Sequence, residues 1–290
     1  MEIIIGTTAI NRPELHGDNI GEWYNWINSL DKTKYNINWF INVDYIPKLE
    51  KSVEDTIQNF QKIIQEIPTH FFTCDANGGN FLQACKRVSF NISEFITKNY
   101  LDQDKIAIIW LEDDWKLSEN NIPLQELLET YFGNMSCINL SYIRENYVHA
   151  LAPSIINWNL WKQVHLQAWA LQEAHVDPEH CVGLYFTKNF GKYKHVQNIT
   201  IINKQIKESY LKQDFLCREK SYNTYHNEKY NILKNDKNIH KSEISNFCKD
   251  AITFLRITPS FCQDGGRNFM EKYNIKKTGI QNDGHLEFYS

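Results

Sequence analysis

A strand-like run followed by a helix-like run, repeated along the first 115 residues, constrains the fold more than any other feature of this chain. Residues 2–6, 37–43 and 69–74 are short, apolar and β-rich, and residues 105–111 carry Ile106, Ile108 and Ile109. Runs of this kind read as buried strands. Between them, residues 19–30 set Ile20, Trp23, Ile27 and Leu30 at helical spacing. Ser52 caps a helix reaching about residue 66, with Glu54 and Asp55 in the first turn, where the helix dipole favours acids. Residues 81–98 supply a third helix after a turn at 75–80, and residues 7–18 read as a polar loop with Pro13 and Gly17. The alternation predicts a Rossmann-like α/β fold, a mainly parallel sheet flanked by helices.

Beyond residue 115 the pattern loosens. A helix is expected at 124–132, a strand at 137–140, an irregular aromatic stretch at 149–161, a helix over 177–188 and a strand at 196–203. Residues 204–250 are polar, rich in Lys, Asn and Tyr, and without clear period. Residues 251–258 regain strand character, and the tail from 259 is polar.

Glu112-Asp113-Asp114 follows the fourth predicted strand directly. Open α/β sheets bind ligands outside the carboxyl ends of their strands. Side chains alternate along an extended chain, so Glu112 and Asp114 are expected on one side and Asp113 on the other. Two converging carboxylates suit a hard cation such as Mg2+ or Mn2+, completed by water and phosphate oxygens.

Composition narrows the function classes. The net charge of −4 argues against a nucleic-acid binder driven by bulk electrostatics. Seven scattered cysteines without a C-x-x-C pair fit a reducing compartment rather than a disulfide framework or zinc site. Met1 runs straight into a strand, and no apolar run approaches the roughly 20 residues that span a bilayer, so a soluble cytoplasmic protein is expected.

In four places the chain resembles the GT-A class of nucleotide-sugar-dependent glycosyltransferases. Ile3-Ile4-Ile5-Gly6-Thr7-Thr8, with Asn11-Arg12-Pro13-Glu14-Leu15, looks like the first strand and nucleotide loop of that class. Val43-Asp44 resembles its second-strand acid, which contacts base or ribose. Glu112-Asp113-Asp114 stands where the class carries its D-x-D motif, with Glu as the first acid. Asp177-Pro178-Glu179 resembles the downstream motif that supplies the base of inverting members, although it is D-P-E rather than adjacent acids.

The resemblance covers residues 1–200 and implies an enzyme with a GT-A core at 1–203. Its nucleotide-binding half is 1–115 and its acceptor half 116–203, and 204–290 is an extension completing or covering the site. The partners it implies are a nucleotide-sugar donor, with UDP as the default nucleotide, and a glycan, protein or small-molecule acceptor. Asp114 would be the direct metal ligand for Mn2+ or Mg2+, Glu112 would act through water or ribose, and Asp113 would contact sugar or support the loop. His285 would complete the metal site. Thr7, Thr8, Arg12, Asp44 and Arg87, with Lys86 beside it, would line the nucleotide. Gly79 would let backbone approach the donor sugar, and Arg267 would close over the diphosphate within Asp264-Gly265-Gly266-Arg267-Asn268.

For the second half of the reaction, a carboxylate must reach the acceptor hydroxyl. Asp177, with Pro178 at the first helical position, suits an N-cap, so Glu179 is expected as the base, with Asp177 as the alternative catalytic carboxylate. Trp158, Trp161 and Trp169 are candidates for an acceptor floor, since sugar faces stack on aromatics, although core packing explains each of them too. Two rival readings stand beside this one: a sugar-phosphate nucleotidyltransferase, and a non-catalytic carbohydrate-binding protein on the same scaffold. Retaining stereochemistry also stays open. The G-x-G-x-x-G and G-x-x-x-x-G-K-[ST] motifs are absent, which excludes the common dinucleotide and P-loop enzymes.

Overall fold

Ile3, Ile4 and Ile5 are consecutive and fully buried, as a strand must be when helices cover both of its faces. A computed structural model describes residues 1–74, 81–99, 101–134, 136–141, 153–171, 178–179, 181–182, 185, 193–215 and 253–273. Its strands are β1 (Glu2–Ile10), β2 (Asn36–Asp44), β3 (Thr69–Thr73), β4 (Ile106–Glu112), β5 (Trp115–Leu117), β6 (Cys137–Asn139), β7 (Ser154–Asn157), β8 (Tyr193–Ile202), β9 (Gln205–Phe215), β10 (Thr253–Thr258) and β11 (Cys262–Asp264). Its main helices are α1 (Ile20–Asn28), α2 (Val53–Ile63), α3 (Phe81–Lys98), α4 (Leu124–Tyr131) and α5 (Gly266–Lys272).

Among the described residues, nine strands form one sheet in the order β3-β2-β1-β4-β7-β6-β10-β8-β9. The pairs β2–β3, β1–β2, β1–β4, β6–β10 and β10–β8 are parallel, while β4–β7, β6–β7 and β8–β9 are antiparallel. The α/β, mainly parallel class follows from these registers. The chain winds outward from β1 through β2 to β3, then returns to the other side of β1 for β4. The carboxyl ends of β1 and β4 therefore flank a topological switch point, where such sheets open a ligand crevice.

Two cores result. One packs α1, α2 and α4 against Ile3, Ile5, Ile41, Ile109 and Leu111. The other packs α3 and the aromatic segment 158–169 against Ile4, Ile108 and Trp110. On the second face Gly6 is required: a Cβ there would lie 2.8 Å from the Trp110 ring. The capping box predicted in outline at Ser52 is present, with Asp55 returning the hydrogen bond.

Several expectations change. β1 does not end at Gly6 but runs to Ile10, because β2 and β4 pair with it on both sides as far as Asp44 and Glu112. Thr7 and Thr8 are thus strand residues, not loop. The irregular aromatic stretch contains β7. The position 203/204 is the turn of the β8–β9 hairpin, and β10 lies inside the main sheet, so residues from 204–290 build the sheet itself. β11 pairs with β5 in a separate two-stranded sheet and leads into α5. No helix among the described residues is long and apolar enough to cross a membrane.

Thr7 is fully buried on the α1 face, and its Oγ1 accepts a hydrogen bond from Trp39 Nε1 at 2.8 Å. Thr7→Val keeps the shape and strands that indole N–H. The expected cost is about 1–3 kcal/mol, read as a lower denaturant midpoint at unchanged slope.

Candidate active site at the carboxyl edge of the sheet

Register places three polar side chains in one row. Thr8 pairs with Asn42 on β2 and with Glu112 on β4, and register partners share a face. This is the α3 face, and α3 contributes Arg87. Arg87 donates from Nε to Asn42 Oδ1 at 2.7 Å and from Nη2 to Asp44 Oδ1 at 2.5 Å. Asn42 Nδ2 donates to the same Asp44 oxygen at 2.8 Å. Asp44 is buried, while the Arg87 side chain keeps 27% of its surface exposed and forms the rim. Two residues expected to line the nucleotide are thus brought together, bound to each other. Trp115 Nε1 donates to Glu112 Oε2 at 3.3 Å.

The three acids do not simply alternate. β4 ends at Glu112, so Asp113 and Asp114 lie in the turn beyond it. Asp113 turns under the sheet edge and is buried. Its carboxylate takes a fork from Arg12, Nε at 2.9 Å and Nη2 at 2.5 Å, and Ile10 N donates to it at 3.4 Å. His16 Nε2 stands 3.5 Å away, at the limit of a hydrogen bond. The Asp113 backbone is held as well, donating to Thr8 O at 3.1 Å and accepting from Asn19 Nδ2 at 3.2 Å. Arg12 Nη2 also reaches Asp114 Oδ2 at 2.9 Å.

Arg12 therefore bridges the two acids, its guanidinium engaged by Asp113 and Asp114 together. Of the two roles expected for Asp113, the geometry matches loop support, and its buried carboxylate stays away from the crevice. Thr7 likewise faces the α1 core. Burial pushes the Asp113 carboxyl up, but Arg12 and His16 outweigh it and hold it at about 2. Asp114 moves the other way. Burial raises it, Arg12 opposes, and the charges of Asp113 and Asp264 raise it further.

Asp114 is enclosed by the returning C-terminal segment. Gly265 N donates to Asp114 O at 2.8 Å, and Gly266 N to Asp264 Oδ1 at 2.9 Å. A Cβ on Gly266 would sit 1.9 Å from Asp114 Oδ2. Phe269 of α5 covers Arg12, with Cζ 5.7 Å from the ring centroid, and packs with Ile46 and Leu49. Asn11 joins the loops after β1 and β2, donating to Ile46 O and Lys51 O and accepting from Ile46 N. Gly266→Ala is expected to cost about 1–3 kcal/mol as overpacking and to turn the Asp114 carboxylate out of place. Thermal melting reads the first effect and nucleotide titration the second.

At this site the buried side-chain atoms without a hydrogen-bond partner are both His16 ring nitrogens and, among the acids, Asp114 Oδ1. A hard oxygen in that state fits a divalent cation that takes one or two carboxylates and completes its shell with water and phosphate oxygens. Among the described residues, no group of three His, Cys, Asp or Glu side chains forms a complete cage.

Gly79, Asp177 and His285 lie outside the described residues. So does the side chain of Arg267, whose backbone is in the first turn of α5. Glu179 is half-buried, and the preceding Pro178 carbonyl accepts from Trp169 Nε1 at 3.1 Å. Trp158, Trp161 and Trp169 are not an acceptor floor. They are buried around Trp110 and His165, with Trp161 stacked on His165 at 4.1 Å. Sequence reading missed His16 and Asn42, while Asn11 and Asp264 stood within the motifs it singled out but were given no role of their own.

No protein-family model and no curated relative matches the chain. Solved structures share part of it. The S. aureus TarS 1-349 structure in complex with UDP is 9% identical over 65% of this chain and 54% of that one, with a TM-score of 0.42. The mannosyltransferase PcManGT from Pyrobaculum calidifontis, in complex with GDP-Man and Mn2+, is 7% identical over 62% and 50%, with a TM-score of 0.37. A 4-diphosphocytidyl-2C-methyl-D-erythritol synthase is 12% identical over 62% and 83%, with a TM-score of 0.36. The chain spans about half the length of the TarS 1-349 structures it matches. The Rossmann-like α/β class rests on the sheet itself.

Proposed function

We propose that this chain is a GT-A-type glycosyltransferase, moving a sugar from a nucleoside diphosphate sugar to an acceptor hydroxyl at the β1/β4 switch point. The observation that carries the reading is Asp114 Oδ1, buried without a hydrogen-bond partner just beyond the carboxyl end of β4, at the sheet edge where Thr8, Asp44 and Glu112 also lie. A divalent cation on Asp114, Mn2+ or Mg2+, would stabilise the negative charge that grows on the departing diphosphate. Asp44, held by Arg87 and Asn42, would accept a hydrogen bond from base or ribose. Glu112 reaches the ribose or a metal-bound water. Arg12 and Asp113 hold the Asp114 loop in place, and α5 closes over it.

UDP is the nucleotide we favour, and Glu179 the base that takes the acceptor proton, giving inversion. Gln at that position keeps the shape and cannot accept a proton. Glu179→Gln is expected to lose about 10²–10⁴-fold in transfer while donor binding stays unchanged. Full transfer by this variant removes Glu179 from the mechanism.

The test of the function is a panel of nucleotide sugars, scored for Mn2+-dependent hydrolysis and for thermal stabilisation, since a ligand that binds only the native state raises apparent stability. Release of the nucleoside diphosphate supports transfer. Release of pyrophosphate from a nucleoside triphosphate and a sugar phosphate would mark a nucleotidyltransferase instead. Sugar binding without turnover would mark a binding protein.

A further inference from the structure

The sheet ends on two strands of unlike character. At one end β9 carries Lys207, Glu208, Lys212 and Asp214 in its sequence, charges of the kind that keep sheet edges from pairing. At the other end β3 reads Thr69-His70-Phe71-Phe72-Thr73, with no Lys, Arg, Asp, Glu or Pro and no shift of register against β2. Among the described residues, nothing pairs with its outer side.

β3 is incompletely covered. On β2, Ile41 is fully buried and Phe40 is 2% exposed, yet their register partners Phe71 and His70 are only half-buried. Phe72 is half-buried too, and Thr73 is exposed. The inward contacts of these rings are already made. His70 stacks on Phe40 with centroids 4.4 Å apart, Phe72 lies 6.3 Å from the same ring, and Phe71 lies 6.3 Å from Phe60. Their remaining exposure is what a further strand at this edge would cover.

The backbone is arranged for such a strand. Trp39 N donates to Pro68 O at 2.9 Å, and Trp39 is in register with Thr69. In a parallel ladder a residue bonds to the two positions flanking its register partner, so Pro68, His70 and Phe72 turn their polar groups to β2. Thr69, Phe71 and Thr73 turn theirs outward, spaced symmetrically about Phe71. A twofold axis perpendicular to the sheet at Phe71 would set this strand antiparallel to a second copy of itself. Phe71 then faces Phe71, and Thr69 faces Thr73, as hydrogen-bonded pairs. His70 falls opposite Phe72 in the closer, non-hydrogen-bonded position. Threonine pairs and aromatic pairs are favourable across strands, and no like charges meet. An unrelated extended segment would gain the backbone bonds without that match of side chains.

We propose that β3 is a homodimer interface, through which two copies of this chain join their sheets edge to edge about a twofold axis. The proposal does not rest on the transfer reading.

Sedimentation velocity of the full chain, across a micromolar concentration series, tests it. The wild type is expected to pass from the 34.3 kDa monomer to a species of twice that mass as concentration rises. Thr69→Lys combined with Thr73→Lys sets lysine against lysine at both ends of the ladder. Thr73→Pro removes an outward N–H without removing a bond to β2. Each variant should stay monomeric throughout the series while keeping the circular dichroism spectrum of the wild type. Asp114→Asn, remote from this edge, should dimerise as the wild type does. A wild type that stays monomeric overturns the proposal. So does a dimer that survives both edge variants, because it would join through another face.

Discussion

Arg12→Ala is expected to cost about 3–5 kcal/mol of folding stability, since removing one partner of a buried ion pair leaves uncompensated charge. The Arg12 side chain is 8% exposed and that of Asp113 2%, so water cannot take over. Asp113 is held near 2 by this contact, and its contribution to stability is present above the unfolded carboxyl value of about 3.9 and lost as pH falls towards 2. At neutral pH the full contribution is at stake. For a chain of this size the melting temperature should fall by roughly 10 °C. Arg12→Ala combined with Asp113→Asn should recover part of the loss, because the stranded charge is removed with its partner. Melting of Arg12→Ala within about 2 °C of wild type would mean that Arg12 does not hold the acid turn.

Asp114→Asn has the largest expected effect on function and the opposite sign in stability. Asn keeps the shape and leaves the Arg12–Asp113 fork intact. Burial and the charges of Asp113 and Asp264 already disfavour ionised Asp114 in the folded state. Removing that charge should leave the melting temperature equal or higher, as expected where function holds a group in an unfavourable state. Metal-dependent nucleotide binding should fall about hundredfold or more, the scale of losing a Lewis-acid contact worth several kcal/mol.

Much of this architecture was legible in sequence. The alternation through residue 115 announced the parallel sheet, and Asp44 and Glu112 were legible as the ends of their strands. Arg87 was legible as a nearby cation, though not as the partner of Asp44. What failed had tertiary causes. Thr7 and Thr8 looked like loop because they are polar, yet Thr suits a strand with neighbours on both sides. β11 is three residues long and exists because β5 is there to pair with it. The Arg12–Asp113 pair joins residues 101 positions apart, and nothing local says that either charge is buried. Period-2 reasoning overran the strand by two residues, because β4 ends at Glu112 and the turn that follows brings both Asp113 and Asp114 to Arg12.

Calorimetric titration of UDP into the wild-type chain and into Asp114→Asn, each with and without Mn2+, tests the central claim most directly. The predicted result is Mn2+-dependent binding by the wild type that is lost in a variant with undiminished melting temperature. Equal UDP affinity in the two proteins, or wild-type binding indifferent to Mn2+, would contradict the assignment of Asp114 as the residue that holds the cation at the donor site.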